Sequence, residues 1–270
     1  MEDIERLEQY WHRALLTFPQ AKDVKGAVIS CYPALPMPQC NSAADINVNE
    51  DEAEDLLKRV TKHFESLGSS LVRFRITPLT RPRRFGLFLQ SHGFEKKGED
   101  SIMVFKGGRL EERLNHEVEV REISESEVDV GNRLVLKVFE FPIEWKKEFN
   151  KLTLDWMQKG GRYFVGYVDG RPVGTSFLFS LTKTGGIFTV GTLKEYRKRG
   201  IGTTLTVHAL MESIKEGNDL HTLQTAKGGN AERLYKKVGF EVDHIVSWYV
   251  KERAREQKLT HRLGIIDVCL

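Results

Sequence analysis

Hydrophobic and polar positions change period several times along this chain. Val118-Glu119-Val120-Arg121-Glu122-Ile123 alternates with a period of two and predicts a half-buried strand. Tyr163-Phe164-Val165-Gly166-Tyr167-Val168 and Val173-Gly174-Thr175-Ser176-Phe177-Leu178 predict two more, and Asp169-Gly170-Arg171-Pro172 between them predicts a tight hairpin turn. Ile187-Phe188-Thr189-Val190-Gly191-Thr192-Leu193 reads as a further strand. The period then lengthens: Val207, Leu210, Met211 and Ile214 fall at i, i+3, i+4, i+7, the apolar stripe of a helix laid on a sheet. Ala231, Leu234, Tyr235 and Val238 repeat that spacing behind Asn230, which is placed as a helix N-cap. Strands alternating with amphipathic helices in both halves predict an α+β protein.

A weak internal repeat divides the chain. Phe88-Leu89-Gln90-Ser91-His92-Gly93-Phe94 lies over Leu234-Tyr235-Lys236-Lys237-Val238-Gly239-Phe240, an offset of 146 residues (94 to 240). Each copy is a helical run stopped by glycine, with phenylalanine returning to the core. A short β-rich run follows each, Ser101–Phe105 and Ile245–Val250. The charged stretch Lys106–Arg113 between the copies marks the expected junction, giving domains 1–115 and 116–270.

Composition narrows the function class. The 270 residues carry 41 Lys and Arg against 38 Asp and Glu, a net charge of +3, so the basic footprint of a dedicated nucleic-acid binder is missing and an anionic partner must be held locally. The length buries a real core, which excludes a disordered tail or a disulfide-stapled miniprotein. Cys31, Cys40 and Cys269 form no CxxC pair and suit a reducing compartment. The N-terminus is acidic where a signal peptide is basic, and no run approaches 18 apolar residues. The expectation is a soluble cytoplasmic protein with neither nucleic acid nor membrane as partner.

The chemistry concentrates where the predicted strand meets the first of those helices. Arg197-Lys198-Arg199-Gly200-Ile201-Gly202 sits at that turn. Glycines let the backbone approach a ligand, the first helical N–H groups have no intrahelical partner, and the helix dipole favours an anion. With three cations around it, the turn suits a pyrophosphate; an ordinary glycine turn among solvated charges is the competing reading. GxxxxGK[ST] and an opening GxGxxG are absent from the sequence, which excludes a P-loop or Rossmann assignment.

Arg197-x-x-Gly200-x-Gly202 opening a helix, followed by Asn230 and Tyr235 five apart before Gly239-Phe240, resembles the acyl-CoA-binding core of the GNAT superfamily of N-acetyltransferases. The match covers about residues 163–250, with strand support back to about 118. The run Gly191–Arg197 also resembles the corresponding segment of glycine N-acyltransferases. The resemblance implies two GNAT-like domains, each a mixed, mostly antiparallel central sheet flanked by helices, with acetyl-CoA or another acyl-CoA as co-substrate and no metal. It implies that backbone amides of Arg197, Lys198, Arg199, Gly200, Ile201, Gly202 and Thr203 hold the pyrophosphate. Val190, Gly191 and Thr192 would pair with the pantetheine arm as an added strand does, with Gly191 fitting a bulge or close approach. Asn230 would bond a pantetheine amide, in competition with capping.

The same resemblance puts Tyr235 near the thioester sulfur. A phenol with its usual value of about 10 is able to protonate a thiolate of parent value about 8.5, so Tyr235 is a general acid or, alternatively, a packing tyrosine. Glu195, His208, His221 and His244 are available as bases and none is assigned. In the first copy, Arg84 and Leu89 stand where Asn230 and Tyr235 do, and Asp51-Glu52-Ala53-Glu54-Asp55 replaces the phosphate turn. Those carboxylates repel a pyrophosphate, so one CoA per chain is expected, with domain one shaping the substrate cleft. Arg73, Arg75, Arg81, Arg83 and Arg84 form either a solvated set or a carboxylate-recognising patch. Pro33, Pro36 and Pro38 mark a loop suited to cover the cleft. The expected activity is an N-acyltransferase acting on a small-molecule amine or amino acid; a non-catalytic acyl-CoA sensor is the alternative.

Overall fold

The computed structural model describes residues 2–18, 20–69 and 71–252; Cys269 and the end of the second expected domain lie outside them. Two compact units divide the chain. The first takes residues up to 101 and returns at 244, and the second takes 102–243. The expected junction near 115 lies inside the second unit.

The first unit runs α1 (Glu2–Leu16), β1 (Lys22–Val24), β2 (Ala27–Cys31), β3 (Asn41–Ala44), α2 (Ala53–Ser66), β4 (Leu71–Ile76), α3 (Phe85–Ser91) and the start of β5 (Glu95–Phe105). The second continues with the end of β5, then β6 (Glu119–Ile123), α4 (Val128–Val138), α5 (Lys146–Gln158), β7 (Arg162–Val168), β8 (Arg171–Leu181), β9 (Thr184–Thr192), α6 (Ile201–Lys215), β10 (Leu220–Ala226), α7 (Asn230–Val238) and β11 (Phe240–Glu252), whose residues from His244 onward belong to the first unit. Strand order in the first unit is β1-β2-β3-β4-β11-β5; β1–β2, β2–β3 and β4–β11 are antiparallel, and β3 and β4 pair in parallel at Ala43↔Phe74. In the second, β6, β7, β8 and β9 form antiparallel neighbours and β9 runs parallel to β10. Both units are therefore mixed, mostly antiparallel sheets flanked by helices, and in each a helix connects the two parallel strands.

Local chemistry explains several of these elements. The β7–β8 hairpin turns on Asp169 (φ 50°) and Gly170 (φ 71°), the left-handed pair that a two-residue turn needs. Around α6 the apolar surface is broader than the stripe expected: Leu205, Val207, Ala209 and Leu210 are buried, Met211 is half-buried and Ile214 is 44% exposed. Helix α6 lies against β7, β8 and β9, so its burying surface turns toward Leu205 and Ala209, and Ile214 in the last turn is left outside.

The two Gly-Phe stops behave differently. Gly239 has φ 116°, and a Cβ there would stand 2.1 Å from the Gly107 carbonyl oxygen; Gly93 has φ 81° and only Lys251 methylene and amine atoms 3.7 Å away. Gly239→Ala therefore adds overpacking to conformational strain, and we expect it to cost about 2–3 kcal/mol against about 1 for Gly93→Ala. Denaturant unfolding of the two variants measures the difference.

Two expectations for the first unit change. Arg75 is 3% exposed and clamps Glu8, and Arg73 donates to the Pro36 carbonyl at 3.1 Å, so these two arginines are internal struts rather than parts of a surface patch. The buried carboxylate on α1 is what takes Arg75 inside. The proline loop is likewise pinned: Asn41 accepts from the Tyr32 N–H at 2.8 Å and donates to the Leu35 and Met37 carbonyls at 2.6 and 3.0 Å, which holds it as a packed turn, not a cover. Cys31 and Cys40 are buried free thiols, and desolvation pushes Cys31 up to about 11.

Candidate functional site

Strand β9 begins as an ordinary member of its sheet. It pairs with β10 from Thr184↔Leu220 to Gly186↔Thr222, and the ladder stops there although both strands continue. From Ile187 on, one backbone edge of β9 has no strand partner among the described residues. On the other edge the register with β8 shifts between Thr175 and Phe177, so that Thr189 and Val190 stand between the Gly191↔Thr175 and Phe188↔Phe177 pairs. This is a β-bulge, with Thr189 at φ 48° and its carbonyl accepting the Thr175 hydroxyl at 2.8 Å.

The expected irregularity at Gly191 is thus two residues earlier. Thr189 carries no glycine-like signal that would have revealed it, and its buried Oγ1 has no hydrogen-bond partner. Gly191 answers a different demand: a Cβ there would lie 2.5 Å from a Val138 methyl and 3.2 Å from the Phe139 ring, so only glycine admits the end of α4.

The bulged strand leads into the phosphate turn. Lys198 (φ 63°) and Gly200 (φ 74°) adopt left-handed conformations, and Gly200 caps α6. The first helical bond at this end is Thr204 N–H to the Gly200 carbonyl, at 2.9 Å, so the amides of Ile201, Gly202 and Thr203 precede the ladder, and no side-chain cap reaches them. Asn115 fixes the turn from outside, donating from its carboxamide to the Arg199 carbonyl at 2.9 Å and from its amide to the Thr204 hydroxyl at 2.9 Å.

Gly202 is informative because the protein does not need it. Its φ is not left-handed, and a Cβ there meets Leu234 and Thr192 only at 3.5 and 3.6 Å, ordinary contacts. Glycine inside a helix costs roughly 0.5–1 kcal/mol relative to alanine, so neither backbone conformation nor packing accounts for glycine in the first turn beside the free amides.

The three cations of the turn are not equivalent. Arg197 donates from its guanidinium to the Thr192 carbonyl at 3.2 Å and the Val138 carbonyl at 3.4 Å, tying β9 to the C-terminus of α4. Its amide bonds the Lys194 carbonyl at 3.4 Å. Arg199 lies over the Tyr196 ring and 3.8 Å from Glu117, and Lys198 is exposed.

On the far side of the split, Gly229 is the N-cap of α7 and Asn230 its first helical residue, which corrects the capping expectation by one position. The reason is local: Gly229 takes the extended conformation that a cap requires, and the Asn230 carboxamide oxygen is held by the Arg233 guanidinium. Asn230 is exposed. Tyr235 is 3% exposed, lies edge-on to the Phe240 ring with centres 6.1 Å apart, and belongs to the buried cluster that includes Ile187 and Leu223, the first residues beyond the paired part of β9 and β10.

The candidate bases are occupied otherwise. Glu195 pairs with Lys137 at 3.1 Å, and its own backbone N–H and that lysine hold its carboxyl below the usual range. His208 lies edge-on to the Phe164 ring, and desolvation lowers its value. His221 Nδ1 shares a 2.8 Å hydrogen bond with Ser213, and His244 lies in the first unit.

The corresponding turn of the first unit is closed by the protein itself. Before α2, Asn49 and Glu52 form a capping box, with the Asn49 N–H donating to the Glu52 carboxylate at 3.1 Å and Lys25 on the same carboxylate at 2.6 Å. An internal carboxylate thus holds the place that an external anion takes at an open helix end.

Comparison with known proteins agrees with this geometry. Residues 134–240 match the acetyltransferase (GNAT) family. A curated N-alpha-acetyltransferase of Sulfurisphaera tokodaii is 30% identical over 102 residues, 32% of this chain, and the chain spans 60% of that relative's length. A GCN5-related N-acetyltransferase from Kribbella flavida superposes with a TM-score of 0.71 at 15% identity, over 91% of this chain and 94% of that one. A tandem GNAT protein from the clavulanic acid biosynthesis pathway gives a TM-score of 0.59 at 12% identity, over 78% and 75%. The structural likenesses carry the fold of both units, and the first two comparisons show that part of the second unit is similar to GNAT acetyltransferases.

Proposed function

We propose, on the premise that this chain carries a GNAT-family acetyltransferase domain over residues 134–240, that its second unit transfers an acyl group from acetyl-CoA or another acyl-CoA to the amine of a small molecule or amino acid, within a ternary complex. One observation carries the reading: β9 has an edge without a strand partner beyond Gly186, and the chain runs on from it into a helix end that no side chain caps. An extended arm with amides fits the edge as an added strand does, and a pyrophosphate fits the free amides of Ile201, Gly202 and Thr203. Lys198 and Arg199 supply positive charge at the rim. Val190, Gly191 and Thr192 lie along the edge. Asn230 serves a pantetheine amide only after releasing Arg233. We place the reaction in the cytoplasm, which suits the two buried reduced thiols.

The chemistry needs few groups. The amine nitrogen attacks the thioester carbonyl, a C–N bond forms, the C–S bond breaks, and the leaving sulfur takes a proton. Tyr235 of α7 is the donor in this reading, and backbone N–H groups of the bulge at Thr189 and Val190 stabilise the developing oxyanion. The nucleophile enters as the neutral amine and passes its proton to water, since Glu195, His208 and His221 are engaged elsewhere and His244 lies in the first unit. Burial of Tyr235 among apolar residues favours a second reading, an acyl-CoA sensor in which this ring only packs.

Isothermal calorimetry with CoA on the full chain tests the site. We expect one CoA per chain, and Gly202→Val should weaken it about tenfold by adding a branched side chain beside the free amides. A stoichiometry of two, or an unchanged affinity in the variant, overturns the assignment. A thiol-release screen of acetyl-CoA and longer acyl-CoAs against amino acids and polyamines then identifies the substrates.

A further inference from the structure

Each unit contains one pair of parallel strands joined through a helix, β3 and β4 in the first and β9 and β10 in the second. The connections that follow differ in length. In the second unit β10 reaches α7 through Lys227–Gly229, three residues; in the first, β4 reaches α3 through Thr77–Arg84, eight residues. The longer connection turns back onto the chain that leaves β3.

Beyond its paired part, that chain follows the course of β9. Both carry a non-glycine residue in the left-handed conformation there, Asp45 at φ 51° and Thr189 at φ 48°, so Ile46-Asn47-Val48 corresponds to Val190-Gly191-Thr192. Alternate residues of an extended chain bond to opposite edges. The Asn47 N–H is taken by the Gly26 carbonyl at 3.0 Å on the β2 side, which leaves Ile46 and Val48 to present the edge on the β4 side. Arg81 fills that edge. Its N–H donates to the Ile46 carbonyl at 2.9 Å and its carbonyl accepts the Val48 N–H at 3.3 Å, in parallel orientation. This is strand addition by the chain's own backbone. The Arg81 guanidinium curls back to the Thr80 and Leu79 carbonyls at 3.1 and 3.3 Å, and the Thr80 hydroxyl accepts the Thr77 N–H at 3.0 Å, so the segment holds its own shape.

We propose that Thr77–Arg84 is an autoinhibitory strap that closes the first unit to acyl-CoA: the Arg81 backbone takes the edge on which a pantetheine arm would lie, as the Glu52 carboxylate takes the helix end on which a pyrophosphate would lie. The proposal rests on the reading of β9 and α6 as the acyl-CoA site. An incoming arm has to break both Arg81 bonds, and the phosphates then meet the repelling charge of Glu52. The strap is also tethered. Its effective concentration at the edge is on the order of millimolar, so free CoA at micromolar levels does not displace it.

Amide hydrogen exchange on the full chain, followed by NMR with and without saturating CoA, tests the strap. Without CoA the Val48 and Arg81 amides should exchange about 100-fold or more slowly than in an open chain. With CoA, residues 187–203 should slow while residues 46–48 and 81 do not change. Exchange at Val48 or Arg81 as fast as in an open chain, or slowed further by CoA, overturns the proposal. Replacing Thr77–Arg84 by Lys-Gly-Gly, the connection of the second unit, should speed exchange at Val48 about tenfold or more. A folded variant in which Val48 stays as slow as in the parent also overturns it, and the parent measurement decides if that variant does not fold. The two levels separate in the same spectra: no slowing in residues 187–203 sinks the acyl-CoA reading itself, whereas slowing both there and at residues 46–48 sinks only the strap.

Discussion

Replacing Tyr235 by phenylalanine is expected to lower acyl transfer by about 100-fold or more while CoA still binds. The ring sits with Ile187, Leu223, Val207 and Leu210 in the core of the second unit, and phenylalanine preserves that apolar area. Packing alone therefore predicts little change in melting temperature, and the hydroxyl becomes the one variable. An acid at this position matters only when the C–S bond breaks, so the loss should fall on kcat and leave the CoA dissociation constant in place. The measurement is steady-state thiol release beside calorimetry on the same protein. Turnover equal to that of the parent chain would remove the acid assignment and favour a tyrosine that only packs.

The second large effect belongs to the first unit. Glu8 on α1 is clamped by Arg75 of β4 through two hydrogen bonds of 2.5 and 2.9 Å and by the Nε2 of His244 at 2.8 Å, with all three side chains buried. Burial alone pushes the carboxyl up, but the Arg75 charge and the His244 and Arg75 hydrogen bonds outweigh it and hold the group at about 2 against an ordinary 4.5. Because the folded value is depressed, the stabilisation is complete above about pH 4.5 and drains as the pH falls through about 2. The displacement corresponds to about 3 kcal/mol. Glu8→Ala strands a buried guanidinium and should cost about 3–5 kcal/mol. Glu8→Met with Arg75→Met should cost much less than the two single changes together, because both charges leave at once. Denaturant melts between pH 2 and pH 6 check all of this: a parent chain as stable at pH 2.5 as at pH 6, or a mild Glu8→Ala, contradicts the buried-pair argument.

Much of the second unit was legible because its signals are local. Asp169-Gly170 carries its own turn geometry, Gly239 stops α7 wherever that helix lies, and Gly200 caps α6 through a conformation that other residues avoid. The phosphate turn is a matter of adjacent residues, so it was visible as a candidate without a fold. Asn230 slipped by one position because Gly229 and Asn230 are both acceptable caps, and the choice was made by an arginine three residues on. The stripe on α6 was misjudged at Ile214 because three strands determine which surface of that helix is covered. Arg73 and Arg75 read as surface charge because nothing in β4 announces the carboxylate on α1 that buries one of them.

Residue type and spacing by themselves determined the α+β class, the two Gly-Phe stops, the anion-favouring turn from Arg197 to Thr203 and the acidic segment that takes its place in the first half. Each depends on backbone conformation or charge within a few residues. Tertiary structure alone decided that β9 parts from β10 after Gly186, that the bulge falls at Thr189, that Arg197 braces α4, and that Val138 and Phe139 press on Gly191. Those features arise from pairing between segments far apart in the chain. Pairing registers and helix contacts are settled by the competition of all buried surfaces at once, and that competition leaves no mark in any single stretch of sequence.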